Sequence, residues 1–245
     1  LTVFKAFSVV GYHGVGKTRL VVSMIKELTR RGYRVGTVKH IPEKHFTIDR
    51  AGKDTWAHAK AGAELVVSLA PGEVAKIEKR SARLEEILKS LSGVDFVIVE
   101  GFKSFSGLAK VVVAQSEAEA KELVDELTIA CVGLKWSSVP SFNFKQVKEI
   151  TDLVEERTFP PLFDLDCKQC GFASCREFAL AVVSGRRRWE DCPVLTGSVI
   201  LKVDGRQVPL NQFAQGLLAG VVGGMVAALS SPGREVEIKV VNVDR

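Results

Sequence analysis

An eight-residue loop near the start constrains this chain most. Gly11-Tyr12-His13-Gly14-Val15-Gly16-Lys17-Thr18 has the form G-x-x-x-x-G-K-[ST]. An apolar run, Phe4–Val10, precedes it, and Lys17–Arg31 follows with Leu20, Val21, Met24, Ile25 and Leu28 at helical spacing. The order is strand, glycine loop, helix. In that setting the backbone curls so that successive N–H groups point at phosphate oxygens, and the helix N-terminus adds its dipole. Lys17 is expected to bridge the terminal phosphates and the Thr18 hydroxyl to take a Mg²⁺ position, with Arg19 closing the phosphate-binding set. The ligand this predicts is a purine nucleoside triphosphate with Mg²⁺. A chance glycine-rich turn is the bland alternative, and the flanking strand and helix argue against it.

The same alternation continues. Gly32 stops the first helix, and Tyr33–Val38 reads as a second strand. A polar, irregular stretch covers His40–Asp54, then a short helix (Thr55–Ala61), a strand (Leu65–Leu69) and an amphipathic helix (Ser81–Leu91). Val94–Val99 is apolar throughout, as in a strand covered on both faces. Strand Lys110–Ala114, helix Glu117–Glu126, strand Thr128–Val132 and helix Asn143–Arg157 complete the pattern. The expected fold is α/β: a P-loop NTPase with an open, mostly parallel sheet covered by helices.

Pro160-Pro161 breaks the alternation and marks a boundary. Three units are expected: a nucleotide domain over 1–158, a four-cysteine segment over 159–195, and a small ββαβ tail over 196–245. In the tail, Gly197–Val203 and Arg206–Leu210 flank Asp204-Gly205, a two-residue hairpin signal. Helix Asn211–Leu229 and strand Val236–Val241 follow. Gly216, Gly220, Gly223 and Gly224 make that helix either a weak one packed on its own hairpin or a docking surface for another subunit.

Charge and hydropathy exclude other classes. The net charge is +5, and Arg186-Arg187-Arg188 is the one tight basic run, so no nucleic-acid face interleaved with aromatics is expected. No apolar stretch reaches the roughly 20 residues a spanning helix needs. The N-terminus runs straight into a strand pattern rather than a signal peptide. The reading is cytoplasmic, with no membrane and no nucleic acid.

A P-loop needs an acidic group on a neighbouring strand near the metal. Asp95–Glu100 supplies it, with Glu100 at the carboxyl end where ligands of open α/β sheets sit. Glu100 is expected to hold Mg²⁺ through water or to orient an attacking water, the alternative being a carboxylate that merely caps a strand. The loop from residue 38 to 62 carries Lys39, His40, His45, Asp49, Lys53 and Asp54. It leaves the carboxyl end of a strand, as switch and substrate loops do. Its His and Asp spacing is not a sharp metal signature, so a solvated loop is the plain alternative.

Val38-Lys39-His40, His45, Asp49, Gly52-Lys53-Asp54-Thr55, Ala61-Gly62-Ala63 and Val99-Glu100-Gly101-Phe102-Lys103 resemble the MobB family, the GTP-binding adaptors of molybdenum cofactor biosynthesis. The resemblance covers roughly residues 3 to 157. It implies a P-loop GTPase fold of the SIMIBI type, a homodimer, and GTP binding with weak intrinsic hydrolysis. It also implies assistance to the guanylyltransferase that joins GMP to molybdopterin, or to molybdoenzyme maturation factors. By that carry-over Gly11–Thr18 hold the phosphates and Glu100 lies close to Mg²⁺. Lys39, His40, Asp49 and Lys103 line the place where nucleotide and pterin phosphates meet. The chain has no N-K-x-D guanine motif, so the choice of base comes from the resemblance alone.

Four of the five cysteines fall between residues 167 and 192. In a reducing compartment clustered cysteines are metal ligands more readily than disulfides. Cys167, Cys170, Cys175 and Cys192 follow C-x2-C-x4-C-x16-C, unlike the paired C-x2-C of zinc ribbons. Three near cysteines and a distant fourth suit a [4Fe–4S] cluster, with zinc or metal-free thiols as alternatives. Gly171 would let the backbone approach the cluster, and Arg176–Ser184 would form a shielding helix carrying Phe178, Ala181 and Val182. The segment resembles the four-cysteine cluster domain of the Rnf complex B subunit and of the corrinoid iron–sulfur protein. MobB proteins are usually shorter and lack it. Redox sensing, electron transfer and simple stapling of the tail all stay open for it. Cys131, in an apolar strand, reads as a small core residue.

Two functional readings follow. One is a GTP-binding adaptor for guanylation of molybdopterin, or of its tungsten counterpart, with an added iron–sulfur module. The other is a P-loop ATPase that delivers a cluster or an electron to a client metalloenzyme. A small-molecule kinase is disfavoured because no lid with paired arginines is evident.

Overall fold

The computed structural model describes residues 3–162, 165–197, 199, 201–203, 206–208 and 210–228. The chain runs β1 (Lys5–Val10), α1 (Lys17–Arg30), β2 (Val35–Lys39), α2 (Asp54–Lys60), β3 (Leu65–Ala70), β4 (Glu73–Glu78), α3 (Leu84–Ser90), β5 (Phe96–Glu100), β6 (Ala109–Val113), α4 (Glu117–Leu123), β7 (Thr128–Val132), β8 (Ser141–Phe142) and α5 (Val147–Arg157). Six strands make one sheet in the order β2-β5-β1-β6-β7-β8, with every pair parallel. β5, β6 and β7 are buried along their whole length, as strands covered on both faces must be. One face packs on α1 and α5 through Phe7, Leu20, Met24, Leu28, Ile150 and Val154. The other carries Ala6, Val97, Val99 and Leu108 against Leu84 and Leu88 of α3.

Two strands depart from the expected plan. Leu65–Leu69 lies outside the main sheet. It pairs antiparallel with Glu73–Glu78 as a two-stranded ribbon closed by Pro71-Gly72. A two-residue loop leaves no room for the helical crossover that a parallel neighbour needs. Leu65, Val67, Leu69 and Val74 stand exposed on this ribbon. β8 is a two-residue edge strand, too short for a periodic signal.

α1 and α5 are tied together by charge. Arg31 donates to Glu27 (2.9 Å), Asp152 (2.6 Å) and Glu155 (2.7 Å), and Arg30 donates to Glu27 at 2.7 and 2.8 Å. Hydrogen bonds from Arg30, then from Arg31, hold the Glu27 carboxyl down to about 2 from 4.5. A depressed carboxyl stabilises the fold above its unfolded value and loses that contribution as pH falls through its folded one. Wild-type protein should therefore lose thermal stability between about pH 4.5 and 2 more steeply than Glu27→Gln, as checked by melting both proteins across that range.

Beyond α5 the carbonyl of Phe159 accepts from the Ala6 N–H (3.1 Å), beside β1 at a level that β6 does not reach. This leads the chain to the amino edge of the sheet, opposite the glycine loop. There α6 (Cys175–Val183), a 3₁₀ turn (Trp189–Asp191) and α7 (Pro193–Thr196) follow. Phe178, Ala179, Val182, Cys192 and Val194 join the same buried cluster as Phe7, Leu127 and Ile150. The cysteine segment therefore packs directly on the nucleotide domain's core. β9 (Leu201–Val203) and β10 (Arg206–Val208) pair antiparallel, and α8 spans Gln212–Ala228. The expected turn Asp204-Gly205 and strand Val236–Val241 lie outside the described residues.

Candidate functional site

Gly11 follows β1 at the point where the neighbouring strands diverge in chain order, the crevice in which open α/β sheets bind ligands. A Cβ on Gly11 would sit 2.6 Å from the Val113 carbonyl oxygen and 2.8 Å from the Val15 side chain, so only glycine fits. Gly14 and Gly16 have φ of +79° and +99°, the left-handed region that lets the loop curl back. Val15 is buried and pins the loop to the core, while His13 and Gly14 face solvent. Gly16 is also the N-cap of α1 and offers no side-chain acceptor, which leaves the first-turn N–H groups for an anion.

The charges converge on this loop. Thr18 Oγ1 donates to Glu100 Oε1 at 2.8 Å, and Lys39 Nζ lies 3.3 Å from the same oxygen. Lys17 folds back onto the carbonyl of Tyr12, and Lys103 Nζ stands 3.3 Å from the centre of the Tyr12 ring. The nearby Glu122 carboxylate raises the Tyr12 pKa. Burial lowers the Lys17 pKa, the Glu100 charge opposes that, and Lys103 and Lys39 add to it. Lys17 thus has two further ammonium groups, Lys39 and Lys103, and one carboxylate, Glu100, around it. Such an excess of positive charge over a curled N–H loop suits a polyphosphate. The Thr18 hydroxyl and Glu100 carboxylate are the two oxygens placed to hold a divalent cation, directly or through water.

Backbone around Glu100 is tightly set. His40 N–H donates to the Glu100 carbonyl (2.9 Å), and Gly101 N–H donates to that of Val9 (3.0 Å). Gly101 has φ +97°, and a Cβ there would meet His40 Cβ at 2.9 Å. Phe102 takes φ +54°, and its ring packs 4.6 Å from that of His40. Asp49 is not drawn into this group. Its Oδ1 accepts from the Arg50 N–H (2.8 Å) in its own loop and from the Thr55 hydroxyl (3.0 Å) in the first turn of α2. Its Oδ2 is buried without a hydrogen-bond partner, an acceptor unsatisfied within the described residues. Arg19 is exposed and lies over the ring of Phe144 at 5.4 Å. Phe144 was not among the expected site residues. It fills the space beside Gly16 (3.0 Å to a Cβ placed there) and Gly133 (3.5 Å), bracing the turn into α1. Nothing in the pattern Phe142-Asn143-Phe144 marks it in advance.

Toward the opposite edge of the sheet lie the four cysteines, with Cys175 opening α6 and Cys192 just before α7. None is in a disulfide. Asp166 N–H donates to Cys175 Sγ (3.3 Å), and Cys175 N–H donates to Asp166 Oδ1 (2.6 Å), closing the loop. Asp166, Lys168 and Gly171 have φ of +41°, +61° and +84°, which folds the cysteine stretch into a tight coil. Cys192 feels the charges of Cys170 and Cys167, and Cys175 feels that of Cys167. Burial pushes the Cys175 thiol up to about 11 and raises that of Cys192. Among the described residues no three His, Cys, Asp or Glu side chains come close enough together to hold a metal ion. The fit is one of donor type: Cys167, Cys170, Cys175 and Cys192 are all free thiols of one short segment, the ligand chemistry an iron–sulfur group takes.

Residues 6–133 match the family described as "Molybdopterin guanine dinucleotide synthesis protein B", MobB. The chain belongs to the MobB family. Residues 164–194 match a second family, described as "Putative Fe-S cluster". A Methanocaldococcus jannaschii protein, "Putative molybdopterin-guanine dinucleotide biosynthesis adapter protein", is 28% identical over 96% of this chain and 96% of its own length. The alignment therefore includes the cysteine segment. The molybdopterin-guanine dinucleotide biosynthesis adapter protein of Escherichia coli K12 is 30% identical, over 63% of this chain and 94% of its own. The crystal structure of Bacillus subtilis MobB aligns with a TM-score of 0.54 at 24% identity, over 62% of this chain and 96% of that one. That likeness carries the fold, a MobB-type parallel sheet with helices. No helix of the described residues is long and apolar enough to cross a membrane.

Proposed function

We propose that this MobB-family chain is a cytoplasmic GTP-binding adaptor in molybdenum or tungsten cofactor biosynthesis, assisting conversion of molybdopterin to its guanine dinucleotide form. The observation that carries the reading is the group formed by Lys17, Thr18, Glu100, Lys39 and Lys103 on a curled glycine loop, within a chain of this family. Gly11–Thr18 and Arg19 hold the triphosphate, and Thr18 and Glu100 hold Mg²⁺. Lys39, His40, Lys103 and Asp49 receive the second phosphate-bearing substrate; the unpartnered Oδ2 of Asp49 supports its inclusion. Relatives named as molybdopterin-guanine dinucleotide biosynthesis adapters support the pathway and so a guanylyltransferase as partner. The exposed apolar face of Leu65, Val67, Leu69 and Val74 supports a homodimer. Domain bounds of 1–158, 159–195 and 196–245 stay part of the proposal, as does a [4Fe–4S] cluster on Cys167, Cys170, Cys175 and Cys192.

Glu100→Gln keeps the hydrogen bond from Thr18 but removes the charge that faces Mg²⁺. The Mg²⁺-dependent gain in nucleotide affinity should fall about tenfold, since a hydrogen bond or contact to a charged group contributes about 1.5–3 kcal/mol. Titrating nucleotide with and without Mg²⁺ checks this. The adaptor role itself is tested by adding the protein to a guanylyltransferase assay with molybdopterin and GTP: more dinucleotide product is expected, and no change would remove the reading.

The cysteine segment favours a second reading, a P-loop ATPase that delivers a cluster or an electron to a client enzyme. It requires preference for ATP and client-stimulated hydrolysis.

A further inference from the structure

The two candidate sites lie at opposite edges of the sheet, and one short segment runs from the first to a cavity beside the second. Glu100, at the end of β5, is level with Val9 of β1, whereas Ala109, at the start of β6, is level with Phe7. Gly101–Leu108 must therefore descend the sheet while crossing β1, and it does so without a helix. Its first residues belong to the nucleotide edge. Gly101 is fitted against His40 with no room for a Cβ, Phe102 holds a left-handed backbone against the His40 ring, and Lys103 lies over Tyr12.

The middle of the segment is a turn, with Phe105 N–H donating to the Phe102 carbonyl at 2.9 Å. Both rings pack on the cluster of Leu84, Leu88, Val97 and Leu108. The Phe105 ring also closes over Gly107, 2.9 Å from a Cβ placed there. Its last residues belong to the cysteine edge. Ser104–Gly107 form one wall of a cavity of about 310 Å³ whose other wall includes Phe159, Cys175, Arg176 and Ala179. Arg176 is held there by Glu126 at 3.0 Å. The cavity separates the turn from Cys175, while packing holds the segment on the core through Phe102, Phe105 and Leu108. A non-glycine residue with positive φ at the nucleotide end is a strained backbone that a bound ligand can relax or reinforce.

We propose that Gly101–Leu108 is a strap that couples the nucleotide site to the four-cysteine segment. Triphosphate with Mg²⁺ resets Lys103 and Phe102, and the turn at Phe105 carries the change into the cavity wall at Cys175. Coupling of binding free energies is reciprocal, so an occupied metal centre changes nucleotide affinity by the same factor that nucleotide changes retention of the metal. The proposal rests on the reading that Gly11–Thr18 bind nucleotide and the cysteines bind iron.

The test compares anaerobically purified, iron-loaded chain with chelator-stripped chain, in wild type and in Phe105→Ala. Two quantities are read: the Kd for GTP with Mg²⁺, and the rate of iron loss to a chelator with and without nucleotide. In wild type, loading should change Kd by at least about fivefold, and nucleotide should change the rate of iron loss. In Phe105→Ala both ligands still bind and the ratio approaches one. An independent readout on the wild-type chain guards against a misfolded variant. Hydrogen exchange at Ser104–Leu108 and Cys175–Ala179 should change when nucleotide is added, although neither stretch touches the glycine loop. A wild-type ratio of one, an unchanged ratio in Phe105→Ala, or exchange unaffected by nucleotide overturns the strap. Loss of nucleotide or iron binding in wild type overturns the reading beneath it, and shows directly as an absent binding signal.

Discussion

Lys17→Ala is expected to weaken binding of triphosphate with Mg²⁺ by about 30- to 150-fold while leaving the fold intact. The lysine is one of three ammonium groups at the site, with Lys39 and Lys103, and it is the one anchored in the loop itself, on the Tyr12 carbonyl. A charge-assisted contact to phosphate contributes about 2–3 kcal/mol, and each 1.4 kcal/mol is tenfold in affinity. Its stem enters α1 after the N-cap and is only partly buried, so truncation opens no cavity in the core. The measurement is equilibrium titration of labelled nucleotide, with a thermal melt to show the variant is folded. Lys39 and Lys103 keep some positive charge at the site, so weak residual binding is expected rather than none. Affinity unchanged within about twofold would mean that the loop does not hold the phosphates.

Cys192→Ser is expected to abolish stable iron retention, leaving nucleotide affinity measurable. Cys192 is the distant fourth thiol, buried where the 3₁₀ turn Trp189–Asp191 meets α7, and it belongs to the core shared with Phe178 and Val182. A [4Fe–4S] cluster takes one thiolate on each iron, so the loss of one leaves an iron open to chelation. Anaerobically purified wild type should carry about four irons per chain, and the variant a small fraction of that. Cys131→Ala is the control. Cys131 lies inside β7, packed with Val10, Val112 and Leu123, and its replacement should leave the iron content alone. Equal iron in Cys192→Ser and wild type would take the fourth ligand away from Cys192.

Most of the sheet was legible because its strands are buried on both faces and its helices carry one apolar stripe. β5, β6 and β7 are mostly apolar, with Glu100, Lys110 and Thr128 their one polar residue each, and α1 places Leu20, Val21, Met24 and Leu28 on the buried side. The ribbon was harder to read. β4 alternates Glu73, Lys76 and Glu78 with smaller apolar residues and faces solvent, so burial imposes little pattern on it. The phosphate loop could be read in full, because its chemistry requires fixed residue types at fixed spacing. Pairing of Thr18 with Glu100 is a tertiary fact that the strand-end position alone suggested. Two things could not be read. Phe144 supports the loop from 128 residues away, being position 144 against Gly16, through packing rather than chemistry. The cysteine segment's place at the far edge of the sheet is set by the Phe159 carbonyl pairing with Ala6 and by burial of Phe178, Val182 and Val194 in the shared core, tertiary contacts that residue spacing does not announce. Asp49, expected in the site by resemblance, is held by the Arg50 N–H and the Thr55 hydroxyl, and its Oδ2 has no hydrogen-bond partner among the described residues.

The most direct test of the central claim is a competition titration of GTP against ATP, with Mg²⁺, on anaerobically purified full chain. The account predicts that GTP binds more tightly and that the preference disappears with affinity in Lys17→Ala. Tighter binding of ATP would contradict the adaptor role and move the search to the iron–sulfur segment and the client it serves.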